Sequence, residues 1–264
     1  MRVARKKAVP LHGRTYESNG ESGVSKEDIK ASIIIPTYNE VENIEPLINK
    51  IHQNLRESYQ IVVVDDNSPD GTGEIAEELG RHFPVRVLHR QGRLGLASAV
   101  LAGLRVAQAD IVGVMDADLQ HPPEVATRLL DAVSQGADIA IASRYVSGGR
   151  CEDRSFLRTL ITKLAILSAR PLVSANDPMS GFFFVRRKVM ESVTLKPRGY
   201  KILLEILVKA NYENAAEVPY TFSRRKSGES KLGFKVVFNY LQQLSGLYFF
   251  RLRRLTRLCI LFCN

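Results

Sequence analysis

Ile111-Val112-Gly113-Val114-Met115-Asp116-Ala117-Asp118-Leu119-Gln120-His121-Pro122-Pro123 is the stretch that decides the fold. Ile111, Val112, Val114 and Met115 read as a buried strand, and the two prolines break the chain behind it. Between them two carboxylates appear at alternating positions. In open α/β sheets, ligands sit beyond the carboxyl ends of the strands. Two carboxylates held together repel unless a cation lies between them. Beside a diphosphate that cation would be Mg²⁺ or Mn²⁺, which takes one or two carboxylates plus phosphate oxygens. A lone D-x-D also fits a solvated turn, so its surroundings must choose between the two readings.

Working outward, apolar strands alternate with segments of helical period. Ser32 to Ile35 is a β-branched run ending at Pro36, followed by Val41, Ile44, Ile48, Ile51 and Leu55 at helical spacing. Ile61 to Val64 is a second strand, ending in Asp65-Asp66, and Ile75, Ala76 and Leu79 suit a helix. Val85 to Leu88 and Ala97 to Val106 continue the series. After the central stretch come a helix with Val125, Leu129, Leu130 and Val133 and a strand over Ile139 to Ala142. This alternation predicts an α/β fold: a mostly parallel central sheet with helices on both faces. Beyond Ser143 the spacing predicts a helix from Phe156 broken by Pro171, a strand over Gly181 to Val185, a helix over Ile202 to Val208 and one strand over Glu217 to Phe222. Ser223 to Ser230 reads as a mobile loop.

The ends differ from the middle. Residues 1–30 are polar and basic with no apolar period, and read as a flexible basic tail. Residues 31–231 form the α/β domain. Over 232–264, Phe234, Val237, Phe238, Leu241, Leu244, Tyr248 and Leu252 recur at helical steps, with Arg251, Arg253, Arg254 and Arg257 among them. Those arginines cut the apolar run below the ~20 residues that span a bilayer. The segment reads as amphipathic helices lying in a membrane interface or packing back on the core. Leu258 to Phe262 would also fit the start of a spanning segment. The net charge is +9, which points to anionic lipid, phosphate or nucleic acid. No helix-turn-helix, zinc-finger or RNP pattern supports nucleic acid. Three cysteines without paired spacing argue against a disulfide framework.

Three strand ends then present polar groups to one sheet edge: Pro36-Thr37-Tyr38-Asn39-Glu40, Asp65-Asp66-Asn67-Ser68-Pro69-Asp70-Gly71-Thr72 and the Asp116/Asp118 pair. An aromatic, several acids and a cation site at one edge suit a nucleotide. No G-x-G-x-x-G follows a strand and no P-loop is present, which argues against dinucleotide binding and P-loop hydrolysis. His52, His82, His89 and His121 fall in helix, loop or strand-end contexts, and none is assigned to the site.

I-I-I-P-T-Y-N-E, V-V-V-D-D-N-S-P-D-G-T, M-D-A-D-L-Q-H-P-P-E, A-S-R-Y-V-S-G-G and G-E-S-K-L occur in this order. With them stand D-P-M-S-G-F (Asp177 to Phe182) and G-Y-K-I-L-L-E (Gly199 to Glu205). From about Ser32 to Leu232 the chain resembles the dolichyl-phosphate mannose synthases, within the inverting glycosyltransferases of GT-A fold. The resemblance implies transfer of mannose from GDP-mannose to dolichyl (polyprenyl) phosphate at the cytoplasmic face of a membrane, the enzyme being peripheral or monotopic. A UDP-glucose or UDP-N-acetylhexosamine donor is the alternative. It implies that Pro36, Tyr38, Glu40, Val64 and Asp66 line the nucleoside pocket, with the Ala117 backbone close by. Asp116, Asp118 and Gln120 would hold Mg²⁺ or Mn²⁺. Arg144 and Arg158 would clamp the acceptor phosphate, with Arg154 as an alternative second clamp. Lys201, Arg225 and Lys231 would close over the donor diphosphate. Asp118, Arg144, Arg158 and Arg225 would then flank the reacting centre. Some members of the family carry transmembrane helices, and shorter ones use a small membrane-anchoring subunit.

Charge supports this picture on separate grounds. A donor diphosphate and a lipid phosphate bring about three to four negative charges into one cleft. Arginine forks bind such oxygens in pairs. An acceptor phosphate is already anionic near neutral pH, so no general base is required. A polysaccharide synthase would need a Q-x-x-R-W motif, and the chain has no tryptophan. A nucleotidyltransferase would need a Gly-rich N-terminal loop that is missing, and a non-catalytic scaffold leaves the acids unexplained.

Overall fold

The computed structural model describes residues 29–152, 156–191, 193–195, 201–223 and 234–262. The basic tail and the Ser223–Ser230 loop of the sequence reading lie almost wholly outside them. The first half alternates as the sequence predicts: β1 (Ala31–Thr37), α1 (Val41–Asn54), β2 (Tyr59–Asp65), α2 (Thr72–Leu79), β3 (Val85–His89), α3 (Leu96–Val106), β4 (Ile111–Val114), α4 (Glu124–Ser134) and β5 (Ile139–Ser143). A short strand β6 (Arg150–Cys151) leads to α5 (Phe156–Ala169). Then come β7 (Phe183–Arg186), α6 (Arg187–Glu191), α7 (Ile202–Lys209), β8 (Ala215–Pro219), β9 (Thr221–Phe222) and α8 (Phe234–Phe262).

Seven strands form one sheet in the order β3-β2-β1-β4-β7-β5-β8. The strand order reverses at β1, which pairs in parallel with β2 on one side and β4 on the other. Crevices at such reversals are where open α/β sheets bind ligands. β1 is covered on both faces, which is why it reads as a continuous apolar run. Ile33 and Ile35 pack with α1, α2 and α4. Ile34 packs on the other face with α3, α5, α7 and α8. Gly103 lets α3 lie close to the sheet: a Cβ there would stand 2.5 Å from Ile34 and 3.1 Å from Val64.

The sheet departs from all-parallel at β7, which runs antiparallel between β4 and β5. Its Phe183 and Phe184 are fully buried with Phe182. The single strand expected over Glu217 to Phe222 is two. β8 joins the main sheet beside β5, and β9 leaves it to pair with β6. Pro219 marks the break, because it has no N–H to extend a ladder. The C-terminal segment is one continuous helix of 29 residues rather than several. Leu244 and Leu247 are buried, and Tyr240 and Tyr248 each donate a hydroxyl hydrogen bond to an α5 carbonyl at 2.7 Å. Phe238, Leu241, Phe249 and Leu252 on its other side are 54–63% exposed. One face of the helix thus packs back on the core, and the other is exposed and apolar. Among the described residues no helix is long and apolar enough to cross a membrane.

Candidate active site

The loops after β1 and β2 form one interlocked unit. Asp65 accepts the Thr37 hydroxyl at 2.9 Å and the Ser68 N–H at 2.8 Å, fixing the two strand ends together. Asn39, Glu40 and Val41 donate their backbone N–H groups to Ser68, Thr72 and Asp70 across the gap. Glu40 gives α1 no side-chain cap of its own, so the Ser68–Thr72 segment supplies the acceptors the helix start needs. The first acid of the Asp65-Asp66 pair is thus structural.

Asp66 is 5% exposed. It is ion-paired with Arg90 and accepts the N–H groups of Leu94 and Gly95 at 3.1 and 3.0 Å. Through that pairing it anchors the 90–95 loop, whose Arg93 guanidinium lies 4.4 Å over the Tyr38 ring. Neither arginine carried a sequence signal, because a single cation in a loop has none. Pro36 and Glu40 sit half-buried at the same edge. Val64, expected at the nucleoside pocket, is fully buried, and its side chain belongs to the core.

β4 runs out beside β1, with the Met115 N–H bonded to the Ile34 carbonyl at 3.1 Å. Asp116 and Asp118 therefore emerge next to the loops after β1 and β2. The Asp116 side chain is 38% exposed, and Asp118 is 7% exposed. Leu119 has φ 57°, a left-handed conformation costing roughly 1–2 kcal/mol outside Gly and Asn. Such strain clusters at functional sites, and here it turns the chain sharply after the acids. The Gln120 amide nitrogen donates to the Ser223 carbonyl at 3.1 Å, which fixes how its oxygen points. Among the described residues no three His, Cys, Asp or Glu side chains form a ligand cluster. Two carboxylates and an amide oxygen are hard donors that leave positions for phosphate oxygens, which fits Mg²⁺ or Mn²⁺.

Gly181 makes room beside this pair: a Cβ there would stand 2.6 Å from Asp116 Oδ2. Gly181→Ala should therefore push the Asp116 carboxylate aside. Transfer activity should fall by about tenfold or more, while the melting temperature, followed by circular dichroism, stays near that of the parent. A normal rate would mean that the Asp116 position is unimportant.

His121, unassigned from the sequence, lines the site. It is 2% exposed, and its Nδ1 has no hydrogen-bond partner among the described residues. That nitrogen stands 3.8 Å from Asp116 Oδ2. Phe182, Tyr220 and Phe222 surround the ring. Burial pushes its pKa down to about 4 although Asp118 pulls it up, so it is neutral at pH 7. Its place inside D-L-Q-H-P-P was the available signal.

Arg144 directly follows β5 and is 7% exposed. Its Nε and one Nη donate to the two oxygens of Asp177 at 2.7 Å each, and Asp177 is fully buried. Burial disfavours the charge, and the Asp177 carboxylate more than offsets this, holding Arg144 firmly cationic. Glu217 in turn accepts the backbone N–H groups of Asn176 and Asp177. Asp177 is the key residue that sequence reasoning missed, although its D-P-M-S-G-F motif stood out. Lys201, at the start of α7, donates to the Met179 carbonyl at 3.2 Å. Asp116, His121, Arg144, Gly181 and Lys201 line one cavity of about 120 Å³. Arg154, Arg225 and Lys231 lie outside the described residues, as does the side chain of Arg158 within α5.

A reversing α/β sheet that gathers paired acids and buried cations at one edge is the GT-A-like fold of glycosyltransferases. The model of Glycosyl transferase family 2 matches residues 32–194, and the chain belongs to that family. It is 51% identical over 221 residues to a dolichol-phosphate mannosyltransferase of Pyrococcus furiosus, covering 82% of this chain and 63% of that protein. It is 41% identical over 213 residues to a polyprenol monophosphomannose synthase of Mycolicibacterium smegmatis, covering 76% and 80%. The fold is shared with glucosyl-3-phosphoglycerate synthase of Mycobacterium tuberculosis, solved with Mn²⁺, UDP-glucose and phosphoglyceric acid. That match has a TM-score of 0.62 and 18% identity, over 86% of each chain.

Proposed function

We propose that the chain transfers mannose from GDP-mannose to dolichyl (polyprenyl) phosphate with inversion, at the cytoplasmic face of a membrane, as a peripheral or monotopic enzyme. One observation carries this reading: Asp116, Arg144 and Lys201 arrive from β4, β5 and α7 to line a single cavity. The relatives named above supply the mannosyl donor class and the polyprenyl acceptor class.

In this scheme Tyr38, Glu40 and the Asp66-anchored loop hold the nucleoside. Asp116, Asp118 and Gln120 hold Mg²⁺ or Mn²⁺, which when bound supplies positive charge to the departing diphosphate. Arg144 presents a fixed cation to the acceptor phosphate, joined by Arg158. Lys201, with Arg225 and Lys231, faces the donor diphosphate. An acceptor phosphate oxygen attacks the anomeric carbon, the bond to GDP breaks on the opposite face, and both phosphates remain anionic. No proton need be removed, which agrees with a neutral, buried His121. The exposed stripe of α8 would rest on the bilayer that carries the acceptor, alone or with a small membrane-anchoring subunit. No feature of this scheme calls for nucleic acid.

The test is a donor panel. GDP-mannose, UDP-glucose and UDP-N-acetylglucosamine, each with labelled sugar, are incubated with a polyprenyl phosphate and Mg²⁺ or Mn²⁺. Label should enter lipid from GDP-mannose alone and stop with EDTA. Transfer from a UDP-sugar instead would overturn the donor, and transfer in EDTA the metal.

A further inference from the structure

A larger cleft, of about 1220 Å³, lies away from the active site. Arg170 follows α5, Arg186 and Lys188 come from the β7–α6 corner, and Arg251 and Arg254 come from α8. Only Asp138 and Glu213 among its lining residues are acidic. Asp138 is 8% exposed. It accepts the Glu213 N–H at 2.9 Å and stands 3.5 Å from Lys188 and 3.9 Å from Arg186. One carboxylate thus gathers two cations, and three arginines remain around it.

The cleft sits at the opposite end of the sheet from Asp116 and Asp118. Arg186 pairs in register with Ile111, the first residue of β4, and Asp138 directly precedes β5. Its cations are therefore not the acceptor clamp. α8 forms one wall, with Arg251 and Arg254 turned into the cleft. Phe249 and Leu252, between and beside them in sequence, are exposed at 63% and 58%. The Arg253 guanidinium instead lies 5.4 Å over the Phe249 ring.

We propose that this cleft binds the phosphate headgroup of an anionic phospholipid. The proposal rests on the membrane location argued above, and adds a lipid site separate from the acceptor's. An apolar stripe outside a row of arginines is what a lipid surface requires of a helix lying along it. Behind that helix Arg170 and Arg186 can fork to phosphate oxygens and Lys188 adds a point charge.

The full chain is sedimented with vesicles of phosphatidylcholine alone and of phosphatidylcholine with phosphatidylglycerol. Binding to the second should exceed binding to the first. Each cation near an anionic surface contributes about a fivefold step in binding, so the Arg251→Gln/Arg254→Gln variant should lose about 25-fold on anionic vesicles only. Lys188→Gln, on the far wall, should lose a comparable single step. If Lys188→Gln binds like the parent, the arginines act as a diffuse surface charge and the cleft is not a site. If inorganic phosphate or glycerol phosphate binds in a Lys188-dependent way without any vesicle preference, the ligand is a soluble phosphate and the lipid assignment falls. An acidic peptide that displaces the protein from neither vesicle type excludes a protein occupant; one that competes for the cleft while anionic vesicles do not overturns the proposal. Transfer to detergent-dispersed acceptor should be unchanged in both variants. A parent protein inactive in that assay would count against the proposed activity and leave the vesicle result standing.

Discussion

Asp118→Ala should lower sugar transfer by at least about a thousandfold while the protein stays folded. A metal held at this point would stabilise developing charge by several kcal/mol, and each 1.36 kcal/mol is tenfold in rate. Asp118 is 7% exposed at the carboxyl end of β4. Its carboxylate also accepts the Gln120 N–H at 3.2 Å, so it shapes the strained turn at Leu119 as well. Loss of one carboxylate would leave Asp116 and an amide oxygen, too few hard donors to hold the cation beside a diphosphate. Initial rates with labelled donor, paired with a thermal melt, separate lost chemistry from lost fold. A variant that melts normally and keeps more than about a tenth of the parent rate would remove Asp118 from the site. Asp118→Asn should fall between the two, because it keeps the turn and loses the charge.

Asp177→Ala should destabilise the protein by about 3–5 kcal/mol, the cost of leaving one member of a buried ion pair unpaired. Asp177 is fully buried, and Arg144 has little water to turn to. Denaturant unfolding measures this directly, and an unchanged midpoint would mean that Arg144 finds another partner. Stability and function then separate. Replacing both residues by apolar ones of similar volume, Arg144→Met with Asp177→Leu, should recover most of the stability and none of the acceptor use. In Arg144→Gln, the apparent KM for lipid phosphate should rise more than that for the donor. Equal rises would place Arg144 outside the acceptor site.

Much of the fold was legible in the chain because burial on both faces forces uninterrupted β-branched strands such as Ile33–Ile35 and Ile61–Val64. Acids at strand ends stood out against those runs, so the Asp116/Asp118 edge was marked without coordinates. The antiparallel β7 was not legible, since a short strand with three buried residues reads alike in either direction. Nor was the split at Pro219, which depends on which neighbour each half finds. The same holds inside the site. Arg144 reads as a phosphate clamp from the resemblance, and the structure adds that Asp177, 33 residues away, holds its guanidinium in place. Asp66 reads as a residue of the nucleoside pocket, and the structure adds that it holds Arg90 and the loop beyond it.

The sequence by itself determined the layered α/β architecture, the working edge and the kinds of charge placed there, because periodicity and residue chemistry act over a few positions. The tertiary structure alone decided which acid neutralises which cation and which carboxylate of the Asp116/Asp118 pair stays open to solvent. It also decided that His121 is sealed beside the acids rather than exposed on a turn. Those outcomes depend on strand order, and pairing between distant segments leaves no periodic trace in the residues it joins.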